Sequence, residues 1–327
     1  MKNIVTVESS ARLHLGFYNI LSENIAYGSL GVAINYPKVK VSIIKSDKVS
    51  VENKTIMEYV EKQVHRTIDM LGPYNIKIIV ENAIPRHVGL GSTTQLMLSI
   101  GQGVNVLYGL HYTIRELAVK LRRGTVSGIG IAAFEKGGFI VDSGRRVKGK
   151  TIEPPKTVEE LPHPIFRKDM PRNWLFLVII PKGIHGLSER EEKTILTAPE
   201  PAQKDLQVEL WKIMLIHLLP SLARNDAAEF GKAVTKIQIL TGSYFAKYQG
   251  GIFCCEETEY AINSMLKHGA LGAGQSSWGP TAYGIVLGLR KARRVLERTR
   301  KDMERKGYEA EYYVVNVRNS GAKIIYR

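Results

Sequence analysis

Two cysteines in 327 residues, side by side at Cys254 and Cys255, leave the chain without a disulfide framework. Adjacency keeps them from bridging readily or forming a Cys-x-x-Cys metal pair, so they read as buried structural thiols in a reducing compartment. Long apolar runs are missing as well: charged residues or glycine interrupt each one well short of membrane-spanning length, and residues 1–10 carry no signal-peptide pattern. A soluble, cytoplasmic protein without a membrane partner is expected. Acidic side chains are scarce, 31 against 46 Lys and Arg, for a formal net charge of +15. Anionic partners are therefore favoured. Nucleic acid is a poor fit, because the densest basic run, residues 290–305, interleaves Glu297, Asp302 and Glu304 like a solvated helix face. A lysine-rich surface also occurs in heat-adapted proteins, so part of the excess needs no partner. No acidic cluster suggests a preformed metal cage, and no internal repeat or low-complexity tail is visible.

What is present centres on Ile84-Pro85-Arg86-His87-Val88-Gly89-Leu90-Gly91-Ser92-Thr93-Thr94-Gln95. Pro85, Gly89 and Gly91 let the backbone turn sharply and approach a ligand. Ser92, Thr93 and Thr94 are cap-type residues opening an apolar helix, whose first-turn N–H groups and positive dipole end would face whatever the loop encloses. Arg86 and His87 add positive potential, which favours a phosphorylated ligand. The same pattern also occurs as a plain strand-to-helix turn. Context favours the cradle: residues 74–83 alternate as a strand, and Leu96, Ile100, Val104 and Leu107 recur at helical spacing up to Gly109. A Walker-type Gly-Lys-Ser/Thr ending is absent.

At this length two packed domains are expected, residues 1–160 and 161–327. In the first, strands are predicted near residues 3–8 and 32–44, the latter broken in register at Pro37, with a helix over 54–71. A Thr113/Glu116 capping box opens another helix, and a strand follows at 137–142. Arg12 and His14, two apart, would share one face of an extended segment. Five prolines between 154 and 171 read as a connector. In the second half, a strand at 174–180 precedes helices at 203–219, 226–240 and 256–268, a strand at 283–287, a helix at 289–306 and a strand at 311–317. This order suits a split βαβ sandwich. The loop after the 174–180 strand carries Lys182, His185 and Glu189, either as surface residues or as substrate contacts. The Gly269–Pro280 stretch, with Gln275, Ser276, Ser277 and Trp278, reads as a binding loop, with Trp278 either core or stacked on a flat ring.

Pro85-x-x-x-Gly89-Leu90-Gly91-Ser92 resembles the phosphate loop of the GHMP superfamily of small-molecule kinases. The segments Gly124-Thr125-Val126-Ser127-Gly128-Ile129-Gly130, Gly137-Gly138-Phe139-Ile140-Val141-Asp142, Gly269 to Ala282 and Ser10-Ala11-Arg12-Leu13-His14-Leu15-Gly16 narrow the likeness. Together they resemble the archaeal β-ribofuranosylaminobenzene 5′-phosphate synthases of methanopterin biosynthesis. The resemblance implies an α+β, GHMP-kinase-like two-domain fold, an N-terminal α+β domain followed by a ferredoxin-like α/β sandwich. It also implies a substrate pocket beside Arg12 and His14, with Gln95, Ser127 and Gly128 among its contacts. The kinase acids are missing: Gly130 stands where an Asp would orient the attacking hydroxyl, and Val119 where a Glu would bind metal, with Glu116 the nearest acid. The expected reaction joins phosphoribosyl pyrophosphate to 4-aminobenzoate, or by the same para-donor logic to 4-hydroxybenzoate, releasing pyrophosphate and carbon dioxide. Mg²⁺ would enter with the pyrophosphate, no pyridoxal phosphate is needed, and a homodimer is expected. The rival readings are an ATP-dependent GHMP kinase with its acid elsewhere and a phosphate-binding module without catalysis.

Overall fold

Two long strands, β1 (Ile4–Ser22) and β2 (Ile25–Lys45), pair antiparallel to form the spine of the molecule. Bulges between Ser10 and Arg12, His14 and Gly16, and Phe17 and Asn19 bend this ribbon. The computed structural model describes residues 4–184 and 194–326. Strand β4 (Ile76–Asn82) lies against the second half of β2 and is flanked by the parallel β3 (Ser50–Asn53). Beyond the bend, β5 (Phe139–Asp142) and β6 (Arg145–Arg146) pair with the first half of β2. Helices α1 (Tyr59–Leu71), α2 (Ser92–Tyr108), α3 (Ile114–Lys120) and α4 (Ile129–Glu135) complete this layer. The Thr113/Glu116 capping box forms, and Gly109 ends α2 in the left-handed region.

A second antiparallel sheet has the order β11-β8-β10-β9, from β8 (Trp174–Pro181), β9 (Gly272–Gln275), β10 (Ala282–Leu287) and β11 (Ala310–Asn316). That order is the split βαβ arrangement. Helices α5 (Lys204–Arg224) and α6 (Ala227–Gln249) run between β8 and β9, followed by α7 (Glu256–Lys267), while α8 (Leu289–Arg305) joins β10 to β11. Among the described residues α5 is the one helix long and apolar enough to cross a membrane. In this fold Leu210, Ile213, Leu218 and Leu222 bury one of its faces in the core.

Three sequence expectations change. The boundary at residue 160 does not divide the sheets, because β7 (Pro164–Lys168) pairs with β5 and β12 (Lys323–Tyr326) pairs with β1. Proline at the start of an edge strand forfeits no needed ladder bond, so the proline-rich segment holds a strand as well as a connector. One apolar core runs from Val5 through Phe139 to Trp174, Phe230 and Tyr283, across both sheets. Next, part of the predicted Gly269–Pro280 loop is strand β9, buried throughout. Gly272 is needed there because a Cβ would lie 2.0 Å from the Gly231 carbonyl oxygen of α6. Finally, the ribbon strands extend far beyond residues 3–8 and 32–44.

Candidate active site

The 84–91 turn leaves β4 and delivers the chain into α2 with Gly91 as N-cap, at φ 79° and ψ 24°, and without a side-chain cap. Ser92, Thr93 and Thr94 are thus the first helical residues rather than caps. Their N–H groups have no intrahelical acceptor and point out of the helix end. Leu90 contributes backbone only: its side chain is buried and its carbonyl accepts from the Arg12 N–H at 3.2 Å.

This turn is interlocked with the loop after β9. A Cβ on Gly89 would lie 2.0 Å from the Ser276 carbonyl oxygen, and one on Gly279 would lie 2.1 Å from the Val88 carbonyl carbon. Ser276 Oγ donates to the Gly89 carbonyl at 2.7 Å and accepts from the His14 N–H at 3.0 Å, while Thr281 Oγ1 donates to the Val88 carbonyl at 2.5 Å. Arg12 also donates to the Gly89 carbonyl through its guanidinium. Gly89 therefore serves the contact between loops, and Gly91 keeps its Cα open toward Arg12.

Two adjoining cavities meet at this junction and share Arg12, Thr94, Arg123, Ser277 and Trp278. The smaller, about 170 Å³, lies over the N-terminus of α2 and takes Arg86, His87 and residues 89–94 into its wall. The larger, about 330 Å³, reaches past His14 and Phe17 to Arg66, Arg122 and Ser127. Among the described residues no aspartate or glutamate lines either one. The guanidinium of Arg86 lies 5.7 Å from the ring centroid of Tyr59, and Arg123 Nε donates to Thr94 Oγ1 at 3.2 Å. Trp278 is both wall and core: its ring packs against Phe245 at 4.9 Å and Tyr248 at 6.3 Å.

His14 is 4% exposed. Burial, reinforced by the Arg12 charge, lowers its pKa to about 3. The Gly16 N–H donates to its Nδ1 at 3.3 Å, which places the ring proton on Nε2. His14 is thus a neutral donor at the cavity wall and not an anion-holding cation.

Several predicted contacts take structural roles instead. Gln95 is fully buried and its amide donates to the Gly130 carbonyl at 2.8 Å, tying α2 to α4. Gly128 N–H donates to Asp142 at 2.7 Å, and a Cβ there would lie 2.4 Å from the Pro162 carbonyl oxygen. Ser127 reaches the cavity, but its hydroxyl donates to Asp142 at 3.2 Å and accepts from the Ile129 N–H. Asp142 takes four donors in all, from Ser29, Gly144, Gly128 and Ser127, and burial pushes its carboxyl up to about 6 against their pull. Gln275 is locked by Gln238, Cys254 and Ser277. Lys182 lines a different pocket and faces Glu309 at 3.5 Å. His185 and Glu189 lie outside the described residues. Glu116 is spent in the capping box, Val119 packs partly buried on the core, and Gly130 faces the larger cavity.

Sequence reasoning missed Arg66, Arg122, Arg123 and Thr125. The doublet Arg122-Arg123 before Gly124 was the available signal, since a left-handed turn at Arg122 (φ 52°) carries Arg123 back over α2. Arg66 had none: helical spacing buries Val64 and Ile68 but does not say what an outward residue meets.

A bent β ribbon, a split βαβ sandwich and an anion-suited cavity at the start of α2 define a GHMP-superfamily protein. Residues 55–138 match the GHMP kinases N terminal domain and residues 218–305 the GHMP kinases C terminal. Over nearly its whole length the chain resembles, in fold, homoserine kinase from Cytophaga hutchinsonii (TM-score 0.69, 17% identity, 99% of this chain and 97% of that one). Mevalonate diphosphate decarboxylase from Staphylococcus aureus is likewise similar in fold (TM-score 0.67, 10% identity, 99% and 98%). Within that class the chain belongs to the β-ribofuranosylphenol 5′-phosphate synthase family. It is 32% identical to the Methanothermobacter thermautotrophicus member over 293 residues, 86% of this chain and 88% of that one. Identity to the Archaeoglobus fulgidus member is 32% over 305 residues (91% of each), and to the Methanocaldococcus jannaschii member 29% over 338 (97% and 99%).

Proposed function

We propose that the protein transfers the 5-phosphoribosyl group of phosphoribosyl pyrophosphate to the ring carbon of a para-substituted benzoate, releasing pyrophosphate and carbon dioxide and leaving a C-riboside 5′-phosphate. The observation that carries this reading is a pair of joined cavities lined by Arg12, Arg66, Arg86, Arg122 and Arg123, and by no acid among the described residues. Such a site suits a polyanionic donor and an aromatic carboxylate, and its described residues include none of the acids that phosphoryl transfer to an alcohol uses. The phenol in the relatives' name favours 4-hydroxybenzoate over 4-aminobenzoate as acceptor.

Pyrophosphate sits at the α2 N-terminus, where first-turn N–H groups with Arg86 and His87 take up its charge as the glycosidic bond breaks. The anomeric carbon gains oxocarbenium character and is attacked by the ring carbon bearing the carboxylate, which the para donor enriches in electrons. Loss of carbon dioxide restores aromaticity, so no electron sink such as pyridoxal phosphate is called for. Arg12 stands where the two cavities meet and bridges leaving group and acceptor. Neutral His14 offers an Nε2–H without adding charge, and Phe17 and Trp278 supply the apolar wall for the ring. Holding both reactants in attack geometry accounts for about 7 to 11 kcal/mol of barrier. A hydroxyl-and-arginine donor set does not fit a protein-held Mg²⁺, so the ion is assigned to the incoming pyrophosphate.

The test is turnover with carboxyl-labelled 4-hydroxybenzoate and 4-aminobenzoate. Labelled carbon dioxide and pyrophosphate should appear in equal amounts, faster with the hydroxy acid. Absence of label release with both acids, while phosphoribosyl pyrophosphate binds, refutes the synthase reading. Conversion of ATP with homoserine- or mevalonate-type alcohols at about 1 per second or more would instead establish a kinase.

A further inference from the structure

Cys254 and Cys255 sit at the N-terminus of α7, half-buried, with their sulfurs 3.2 Å apart. The groups around them are also the groups that hold the cavity wall. Cys254 N–H donates to Gln275 Oε1 at 2.7 Å, and Gln275 Nε2 donates to the Ser277 carbonyl at 2.9 Å. Thr258 Oγ1 lies 3.0 Å from Cys255 Sγ and donates to the Pro280 carbonyl at 2.7 Å, and Cys254 Sγ lies 3.8 Å from the Gly279 carbonyl oxygen. Gly279 in turn is seated on Val88 and Gly89.

We propose that Cys254 and Cys255 form a thiol–disulfide exchange site, oxidised by low-molecular-weight disulfides to a vicinal disulfide that displaces the 275–280 wall of the cavity. Cys255 is the attacking thiol. The hydrogen bond shared with the Cys254 thiol, 3.2 Å away, and Thr258 Oγ1 at 3.0 Å lower its pKa, while the same shared bond and burial raise that of Cys254. The Cys255 thiolate attacks the external disulfide and expels one thiolate, leaving a mixed disulfide. Cys254 then loses its proton and attacks Cys255 Sγ, and the second external thiolate departs. Two protein thiols are oxidised and one external disulfide is reduced to two thiols.

The bridge is strained, because Cα atoms about 3.8 Å apart across a trans peptide fall below the ordinary disulfide range of about 4.4–6.8 Å. Strain of this kind raises the reduction potential and makes the bond readily reversible. Closing the sulfurs from 3.2 Å to a bonded distance near 2.05 Å shifts the pair relative to Gln275, Thr258 and Gly279, the groups that hold the cavity wall.

The experiment treats the full-length protein with glutathione disulfide and reads intact mass and amide hydrogen exchange. The expected product has lost two hydrogens and carries no adduct. Amides within 275–281 and 88–91 should exchange several-fold faster, and dithiothreitol should reverse both changes. Cys254→Ser should stop at a stable glutathione adduct on Cys255, and Cys255→Ser should react far more slowly. A stable adduct on the unsubstituted protein, or two thiols that react only after unfolding, overturns the exchange site. A vicinal bridge that leaves exchange in those segments unchanged overturns the coupling to the cavity.

Discussion

Gly89 and Gly91 look equivalent in the sequence but carry different burdens in the fold. At Gly89 a Cβ would lie 2.0 Å from the Ser276 carbonyl oxygen, whereas at Gly91 its nearest neighbours would be atoms of the Arg12 side chain, at 3.4 to 3.5 Å. Both have positive φ, which alone costs an L-residue about 1 to 2 kcal/mol. Gly91→Ala should lose about that much stability. Gly89→Ala should lose distinctly more, because backbone must move as well. Urea unfolding of the two variants checks the order, and equal losses would sink the loop–loop assignment. His14 gives a second residue-scale outcome. Its folded pKa of about 3 lies below the ordinary 6.5, so the unfolded chain takes up a proton that the native state refuses. Stability tied to His14 is complete above pH 6.5 and is lost as pH falls toward 3. His14→Asn should flatten that part of the stability–pH curve, and its kcat/KM profile between pH 5 and 8 should gain or lose no limb. The position of His14 beside the pocket was readable from residues 10–16, but its neutrality was not, because neutrality depends on burial by distant chain.

Among the elements, most helices were legible because their buried positions recur at three and four residues, as in α1 and α8. The β ribbon was not. In β2 residues 26–34 are buried without interruption, since α4 covers the side opposite the core, and the period of two vanishes. In β1 three bulges reset the alternation. β9 was mistaken for loop because its glycines signalled ligand approach, when α6 lies against them. Asp142 shows how such elements are fastened: one carboxylate collects donors from β2, from the start of α4 and from the turn after β5. Asp142→Asn sets an NH₂ against two of these donors and should cost about 1 to 3 kcal/mol. Thermal unfolding measures it, and a neutral effect would mean that the carboxyl is already protonated in the native state.

For the molecule as a whole, the continuous core and the return of β7 and β12 to the first sheet should make the two halves unfold as one cooperative unit. All three tryptophans, Trp174, Trp211 and Trp278, lie beyond residue 160. Tryptophan fluorescence therefore reports the second half alone, while far-UV circular dichroism reports both. The two probes should give coincident denaturant transitions, and separated midpoints would restore the boundary at 160. A fragment of residues 1–160 should remain without fixed tertiary structure, since it lacks β7, β12 and the α6 face that covers β1. The lock between Gly89 and Ser276 adds a consequence for synthesis. These residues are 187 positions apart, and closing so long a stretch of chain waits on the structure between them. A ribosome delivers the Gly89 turn early, but its opposing half only after residue 281 has emerged. Nascent and prematurely ended chains carry the whole anion turn without its opposing half, and are expected to gain no protection from substrate that the finished molecule gains.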